Sequence, residues 1–480
     1  MKKKERTLIN ISKKTFIQVV VLLFALLVLS IVLTYVLPRG TFPRDSQTGE
    51  ITDYSGYMRT DDRGIPLWKG LLAPILVLTS NIELIMLALF LFVISAAFQV
   101  MNDVGGIKTI VESVSGRFRN RPALLLVFIS FLFYCFGSFL GLFEEMLTML
   151  PIITALCVMI GYDSFTGFIC CILACGFGFA GSITNPFTVL LASRIIDVNP
   201  MTNIWFRLII FVVMFGLLIA FLFLYLRRIG KNRYDSLTYI HDTIYRNEEQ
   251  EHPEPVQEVQ NPKLVRTIYS VFLLVSLVVI IVSSLIPSLR NYTVVILTAY
   301  FMVFGLIVGS IAAGSFRKAG KSFLNGILGA LPTLAFIAFA ASVKYVLEEG
   351  HVLDTLVNQI NTRINGGNTI ILALAIYLIV LVLEFFISSS TAKAVLVMGI
   401  LAMVFNSNPN LGLSKEMLVL LYTFGDGYTN VIFPTSPVLL ISLSMIEVDY
   451  FRWVRKSIPL FAVNLVLVLA FIALGVAIGY

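Results

Sequence analysis

Five stretches of the chain, residues 16–37, 204–226, 265–286, 291–314 and 458–479, are apolar over more than the roughly 18–20 residues that carry a helix across a bilayer. No other sequence feature constrains the fold as strongly. Backbone amides in hydrocarbon have no water to bond, so each stretch must close its hydrogen bonds within itself, as helix. Shorter or interrupted apolar segments lie near 71–101, 122–140, 150–160, 166–181, 323–347, 369–387, 394–405 and 416–446. Charged residues make up 13% of the 480 positions, against about 25% in soluble domains, too few to cover a water-facing surface. The expectation is an all-α polytopic membrane protein, with the lipid bilayer as its surroundings.

The amino-terminal stretch follows Lys2, Lys3, Lys4, Arg6, Lys13 and Lys14. Its apolar core is longer than a signal sequence needs, and no small-residue cleavage pattern precedes Pro38, so it reads as a retained first helix with its basic flank in the cytoplasm. The net charge of +7 gathers in short loops, Lys108 to Arg121, Arg227 to Arg233 and Arg317 to Lys321. That is the charge bias of cytoplasmic loops, and with no basic fold module the chain is not expected to bind nucleic acid. Cys135, Cys157, Cys170, Cys171 and Cys175 all lie in apolar segments, and His241, His252 and His351 in polar ones. Neither a disulfide framework nor a metal centre is expected, and no cofactor.

Residues 228–263 form the long internal polar segment, with Glu248, Glu249, Glu251, Glu254 and Glu258 and the helix breakers Pro253, Pro255 and Pro262. They read as a solvated cytoplasmic linker between two halves, 1–227 and 264–480. Residues 38–69 read as an external loop. The halves resemble each other: Trp205-Phe206-Arg207 precedes Trp453-Val454-Arg455 by 248 residues, Ile196-Asp197-Val198 precedes Ile446-Glu447-Val448 by 250, and Thr184-Asn185 precedes Thr429-Asn430 by 245. Loop charges place the two halves in opposite orientation, the inverted-repeat design of many secondary transporters.

Four polar stretches interrupt the apolar segments. Near 137–151, Ser138 and the adjacent Glu144 and Glu145 stand among Gly137, Gly141 and aromatic residues. Intramembrane carboxylates are functional candidates by default. Neighbours on a regular helix point about 100° apart, so a hairpin tip or helix start is needed to present both together. Near 176–188, three glycines, Ser182, Thr184, Asn185 and Pro186 describe a helix that unwinds midway. Its freed carbonyls and hydroxyls are hard ligands suited to sodium. Near 384–398, Ser388, Ser389, Ser390 and Thr391 precede Lys393. A lysine in a first helical turn opposes the helix dipole, so an anionic partner is expected, either Glu384 or a bound carboxylate, with a snorkelled position as the alternative. Near 425–437, Asp426 between glycines, Thr429, Asn430 and the Pro434-Thr435-Ser436-Pro437 break give a second unwound helix, Asp426 being an ion ligand or proton carrier.

With Phe143-Glu144-Glu145, Gly161-Tyr162-Asp163-Ser164, Gly178-Phe179-Ala180 through Thr188, Ser388 to Lys393, and Gly425-Asp426-Gly427 with Pro434 to Pro437, the chain resembles the YfcC/DcuC-type carriers of the ion transporter superfamily over nearly its whole length. The resemblance implies two re-entrant hairpins, two broken helices, a scaffold that mediates homodimer formation, and elevator-like transport in a bacterial inner membrane. Carried over to this chain, it points to Glu144, Glu145, Ser388 to Thr391, Thr184, Asn185, Thr429 and Asn430. Together with the reading of the polar stretches, the substrate site is expected at Glu144, Glu145, Asn185, Ser389, Ser390, Thr391, Lys393, Asn430 and Thr435. Ion-coupling groups would be Ser138, Ser182, Thr184, Ser388, Asp426 and Thr429, with Na+ or H+ as the ion. Relatives that carry dicarboxylates have Ser-Asn-Thr at both tips; Phe-Glu-Glu and Ser-Ser-Thr here weigh against that substrate. The YfcC-like group is commonly labelled with basic amino acid antiport, which suits an acidic tip.

The function expected is ion-coupled secondary transport of a small amino acid or carboxylate. A C4-dicarboxylate carrier, or a channel using a broken helix as filter, is the alternative. No H-E-x-x-H, G-x-S-x-G or nucleotide-binding sequence is present, so neither an enzyme nor an ATP-driven pump is expected.

Overall fold

The computed structural model describes residues 13–44, 52–53, 56–60, 64–118, 120–240, 242–243, 261–290, 292–356, 358, 369–387, 389–407 and 412–480. Ser388 and most of the linker, 244–260, lie outside them. Nine helices among the described residues are long and apolar enough to cross a membrane. The chain is a multi-pass, almost wholly helical membrane protein. The exception to the all-α expectation lies in the loop 38–69, where Gly40 and Thr41 pair antiparallel with Arg59 and Met58. Arg44 pairs there with Asp354 at 2.7 Å, and Tyr57 bonds Thr355 at 2.7 Å, tying the loop to the far half of the sequence.

The helices fall into two groups by their packing. Lys13–Val36, Ile82–Asp103, Thr293–Ala313 and Phe316–Glu349 pack on one another. The last spans 34 residues, because its charged start, Phe316 to Lys321, continues the helix beyond the apolar run, with Ser315 capping Lys318 N. Small residues set its closest crossing: Ser95 donates to the Gly326 carbonyl at 2.9 Å, and a Cβ on Gly326 would lie 2.5 Å from Ala96 Cα.

The second group holds Pro122–Leu140, Ser164–Ala180, Pro186–Ile195, Ile204–Lys231, Thr369–Phe386, Ser390–Ser407, Lys415–Asp426, Pro437–Met445 and Tyr450–Ile478. Gly106–Phe118 links the groups: it touches Leu150–Met159, which packs on the start of the Ser164 helix, and Pro262–Leu285, which packs on Thr293–Ala313.

The first part of the expected solvated linker is folded. Residues 228–231 complete the Ile204–Lys231 helix, Asn232 caps a turn at Arg233–Asp235, and the chain docks on the start of the Ser164 helix. Asp242 accepts from Ser164 N at 2.9 Å and from Thr238 Oγ1 at 2.7 Å, while Asp163 accepts from Tyr225 and from Ser236 Oγ. Asp163, Thr238 and Asp242 are buried. Polar side chains here satisfy a helix N-terminus rather than water.

Local features recur between the halves. Left-handed residues stand at Gly105 and His351, Gly161 and Gly412, and Asp197 and Glu447. Side-chain N-caps stand at Asp163 and Ser414, and at Asn185 and Ser436. Each pair is separated by 246 to 251 positions.

Candidate functional site

The first tip begins where Pro122–Cys135 runs through a wide turn, Phe136–Leu140, and stops at Gly141. Gly141 has φ 69°, and a Cβ there would lie 2.6 Å from Asn185 Oδ1. Both the backbone conformation and the close approach call for glycine. The chain then forms a tight 3-10 turn, Glu144–Thr148, before Leu150–Met159. Glu144 and Glu145 occupy that first turn. Glu145 is buried and accepts from Phe143 N at 3.2 Å; Glu144 is half-buried. Among the described residues, no cationic side chain pairs with either.

The first tip covers a break in the helix that follows. Ser164–Ala180 stops at Gly181, and helix resumes at Pro186, whose missing N–H suits a first position. Asn185 caps the new start: its Oδ1 accepts from Phe187 N at 2.9 Å and Thr188 N at 3.3 Å, while its Nδ2 donates to Gly137 O at 3.1 Å. Ser138 Oγ donates to Gly181 O at 2.7 Å and accepts from Ile183 N at 3.2 Å. Thr184 Oγ1 donates to Phe139 O at 3.2 Å. Ser182 bonds back to Phe179 O at 2.6 Å, within its own helix.

The second tip joins Thr369–Phe386 to Ser390–Ser407. Lys393, in the first turn of the latter, is fully buried and ion-paired with both Glu384 and Asp426, the latter at 2.8 Å. Its ammonium also donates to Ile387 O at 3.2 Å. Ser390 Oγ donates to the other Asp426 oxygen at 2.9 Å, and Tyr422 donates to Ser390 O. Ser389 Oγ accepts from Ala392 N at 3.4 Å, and Thr391 is exposed. The anionic partner of Lys393 is therefore supplied by the chain itself.

Asp426 ends Lys415–Asp426, the first part of the second broken helix. A 3-10 turn, Tyr428–Val431, follows, and helix resumes at Pro437 under the Ser436 cap. Asn430 Nδ2 donates to Asp426 O at 2.8 Å and Thr429 Oγ1 to Gly425 O at 3.1 Å, so both serve the break. The Thr435 hydroxyl is buried, with no hydrogen-bond partner among the described residues.

The two breaks meet. A Cβ on Gly427 would lie 2.7 Å from the Ala180 backbone, and one on Gly176 2.4 Å from Val431. Pro186–Ile195 packs on Ser390–Ser407, and Pro437–Met445 touches the Glu144–Thr148 turn. The structure thus gathers the four polar stretches into one region, although no ion pair joins Glu144 or Glu145 to Lys393.

The profile of the C4-dicarboxylate anaerobic carrier family, DcuC, matches residues 16–477. The chain belongs to the DcuC family. Over 384 residues it is 26% identical to an Escherichia coli (strain K12) protein named "Putative basic amino acid antiporter YfcC", covering 78% of this chain and 74% of that one. It is 23% identical over 383 residues to an uncharacterised Haemophilus influenzae (strain ATCC 51907 / DSM 11121 / KW20 / Rd) protein, covering 79% and 73%. Among solved structures it aligns with the Alcanivorax borkumensis YdaH transporter at 15% identity and a TM-score of 0.43, covering 96% of this chain and 99% of that one. Neisseria gonorrhoeae MtrF, from a class of antimetabolite efflux pumps, aligns at 16% identity and 0.42, covering 95% and 94%.

Sequence reasoning missed two groups that hold the breaks of this DcuC-family chain together. Arg207 donates to Ile183 O at 3.4 Å, and Trp453 Nε1 donates to Val431 O at 2.9 Å, so each long helix caps a carbonyl freed at the break before it. The signal was present in the Trp-x-Arg repeats, which mark the duplication but not the bonds. No group of three or more metal-ligating His, Cys, Asp or Glu side chains occurs among the described residues.

Proposed function

We propose that this DcuC-family membrane protein is an ion-coupled secondary carrier of a small amino acid or related carboxylate. The observation that carries the reading is the pair of mid-chain helix breaks, each covered by a polar tip, packed against each other inside the membrane-spanning body. A broken helix offers peptide dipoles and freed carbonyls at depth, which is what an ion or a zwitterion needs there. The acidic first tip is free of internal cations, so Glu144 and Glu145 receive a substrate amine or a coupling proton; Ser138, Ser182 and Thr184 oxygens line the ion route. The Asn185 and Ser436 helix starts receive a carboxylate.

The recurrence of caps and left-handed residues at 246 to 251 positions supports a duplication, read as an inverted repeat with re-entrant hairpins. The second helix group then moves as an elevator against the first. The carrier is placed in a bacterial inner membrane, amino terminus and linker inside, as a homodimer through the first group. The family name favours C4-dicarboxylates as a second reading, and the YfcC relative favours a basic amino acid.

Uptake into proteoliposomes under an imposed Na+ or H+ gradient tests the proposal. We expect saturable uptake, abolished by Glu145→Gln and by Asn185→Ala. Unchanged transport in both variants would overturn the site, and single-channel currents would replace the carrier with a channel. A thermal-shift screen of amino acids and dicarboxylates, with and without Na+, decides the substrate class.

A further inference from the structure

Lys393 has three ammonium hydrogens to place and no acceptor of its own. The structure gives it three oxygens: a Glu384 carboxylate oxygen, Asp426 Oδ1 at 2.8 Å and the Ile387 carbonyl at 3.2 Å. The hydroxyl of Ser390 stands beside them, bonded to Asp426 Oδ2 at 2.9 Å. Carboxylate, carbonyl and hydroxyl oxygens are the hard donors that bind alkali and alkaline-earth cations. The cage sits where a tip meets a helix break, which is where the first half of the molecule also gathers carbonyl and hydroxyl oxygens. All three charged side chains are buried, Lys393 and Asp426 at 0% exposure and Glu384 at 2%.

We propose that the Lys393 ammonium is a tethered cation, filling a site at the second break that would otherwise hold a free Na+. The second tip then needs no exchangeable Na+ to close on its break, and a coupling ion acts elsewhere, at the first tip. This last step rests on the carrier reading; occupation of the cage does not. The two carboxylates stand nine residues before and 33 residues after Lys393, on separate helices, so the ammonium also clamps the tip to the broken helix.

Removing the ammonium while leaving room behind should expose the site. Melting midpoints of purified full-length protein are measured in NaCl and in choline chloride at equal concentration. Wild type sets the baseline difference between the salts. Lys393→Ala is expected to melt below wild type in choline and to gain an upward shift of a few degrees in NaCl beyond that baseline, saturating with Na+. Lys393→Met removes the charge but fills the space, and is expected to show the choline loss without the Na+ gain. Adding Asp426→Asn to Lys393→Ala should erase the gain. The proposal is overturned if Lys393→Ala shows only the wild-type difference, if Lys393→Met gains as much, or if no folded Lys393→Ala is recovered even in NaCl. Gradient-driven uptake by wild type is read separately: its absence with the Na+ gain intact sinks the carrier and leaves the cage, and the reverse result sinks the cage alone.

Discussion

At the first break the contacts between tip and helix are neutral: the Ser138 hydroxyl, the Asn185 amide and the carbonyls of Gly137 and Gly181. At the second they are ionic, with Glu384, Lys393 and Asp426 bound together and Ser390 attached. On the duplication reading, an offset of 247 carries Glu384 and Lys393 back to Gly137 and Met146. The matched caps near Asp426 differ by 251, which carries it to Cys175. A Cβ on Gly137 would lie 2.1 Å from Cys175 O, so the corresponding place in the first half is closed by backbone contact. The difference assigns labour. A tip held by its own internal charges is committed, whereas the first tip is held by backbone capping, and among the described residues its two carboxylates pair with no cation.

The comparison breaks most easily at its charges. Lys393→Met strands two buried carboxylates, and the loss from breaking a buried ion network is expected at ~3–5 kcal/mol of stability. Met146→Leu in the other half should stay under about 1.5 kcal/mol. Equal losses in thermal or denaturant unfolding would remove the asymmetry. Next comes backbone closeness: Gly137→Ala must displace the Cys175 carbonyl and should cost about 1–3 kcal/mol, while Gly216→Ala, with open space around it, should cost none.

Smaller still is the contrast between caps. Asn185 holds two amides and the Gly137 carbonyl, whereas Ser436 holds Leu439 N at 3.4 Å. Asn185→Ala should therefore lose ~1–2 kcal/mol and Ser436→Ala nearer ~0.5 kcal/mol. Their melting midpoints rank the two. The smallest effect is expected at Thr435. Its hydroxyl has no partner to lose among the described residues, so Thr435→Val should cost less than about 0.5 kcal/mol and can stabilise. A drop in uptake without a drop in midpoint would put that hydroxyl on the substrate.

Much of this was legible in the sequence because it follows from local rules. Apolar length announces the spans, and Pro186 and Pro437, each preceded by a capping side chain, announce where the broken helices restart. Gly141 announces a stop that no side-chain-bearing residue takes as readily. What was not legible depends on which distant groups meet. Lys393 in a first turn called for an anion, but Glu384, a bound carboxylate and a snorkelled position satisfied that demand equally; packing against Asp426 decides it. Polar residues 232–240 and 242–243 read as solvated because a docked polar strap and a free one have the same composition. Contacts such as Asp242 on Ser164 N and Ser236 on Asp163 distinguish them. Arg317 to Lys321 read as a loop for a related reason, since a basic helical turn beyond the apolar run has a loop's composition.

Trp453 gives the second break its own optical signal. Its indole is fully buried and bonded to Val431 O, while the other two tryptophans, Trp68 and Trp205, are exposed. Emission from a buried indole lies to the blue of an exposed one because water cannot relax around its excited state. A protein carrying Trp68→Phe and Trp205→Phe would fluoresce from this one position. Its colour would register each loosening of the break, with no label attached.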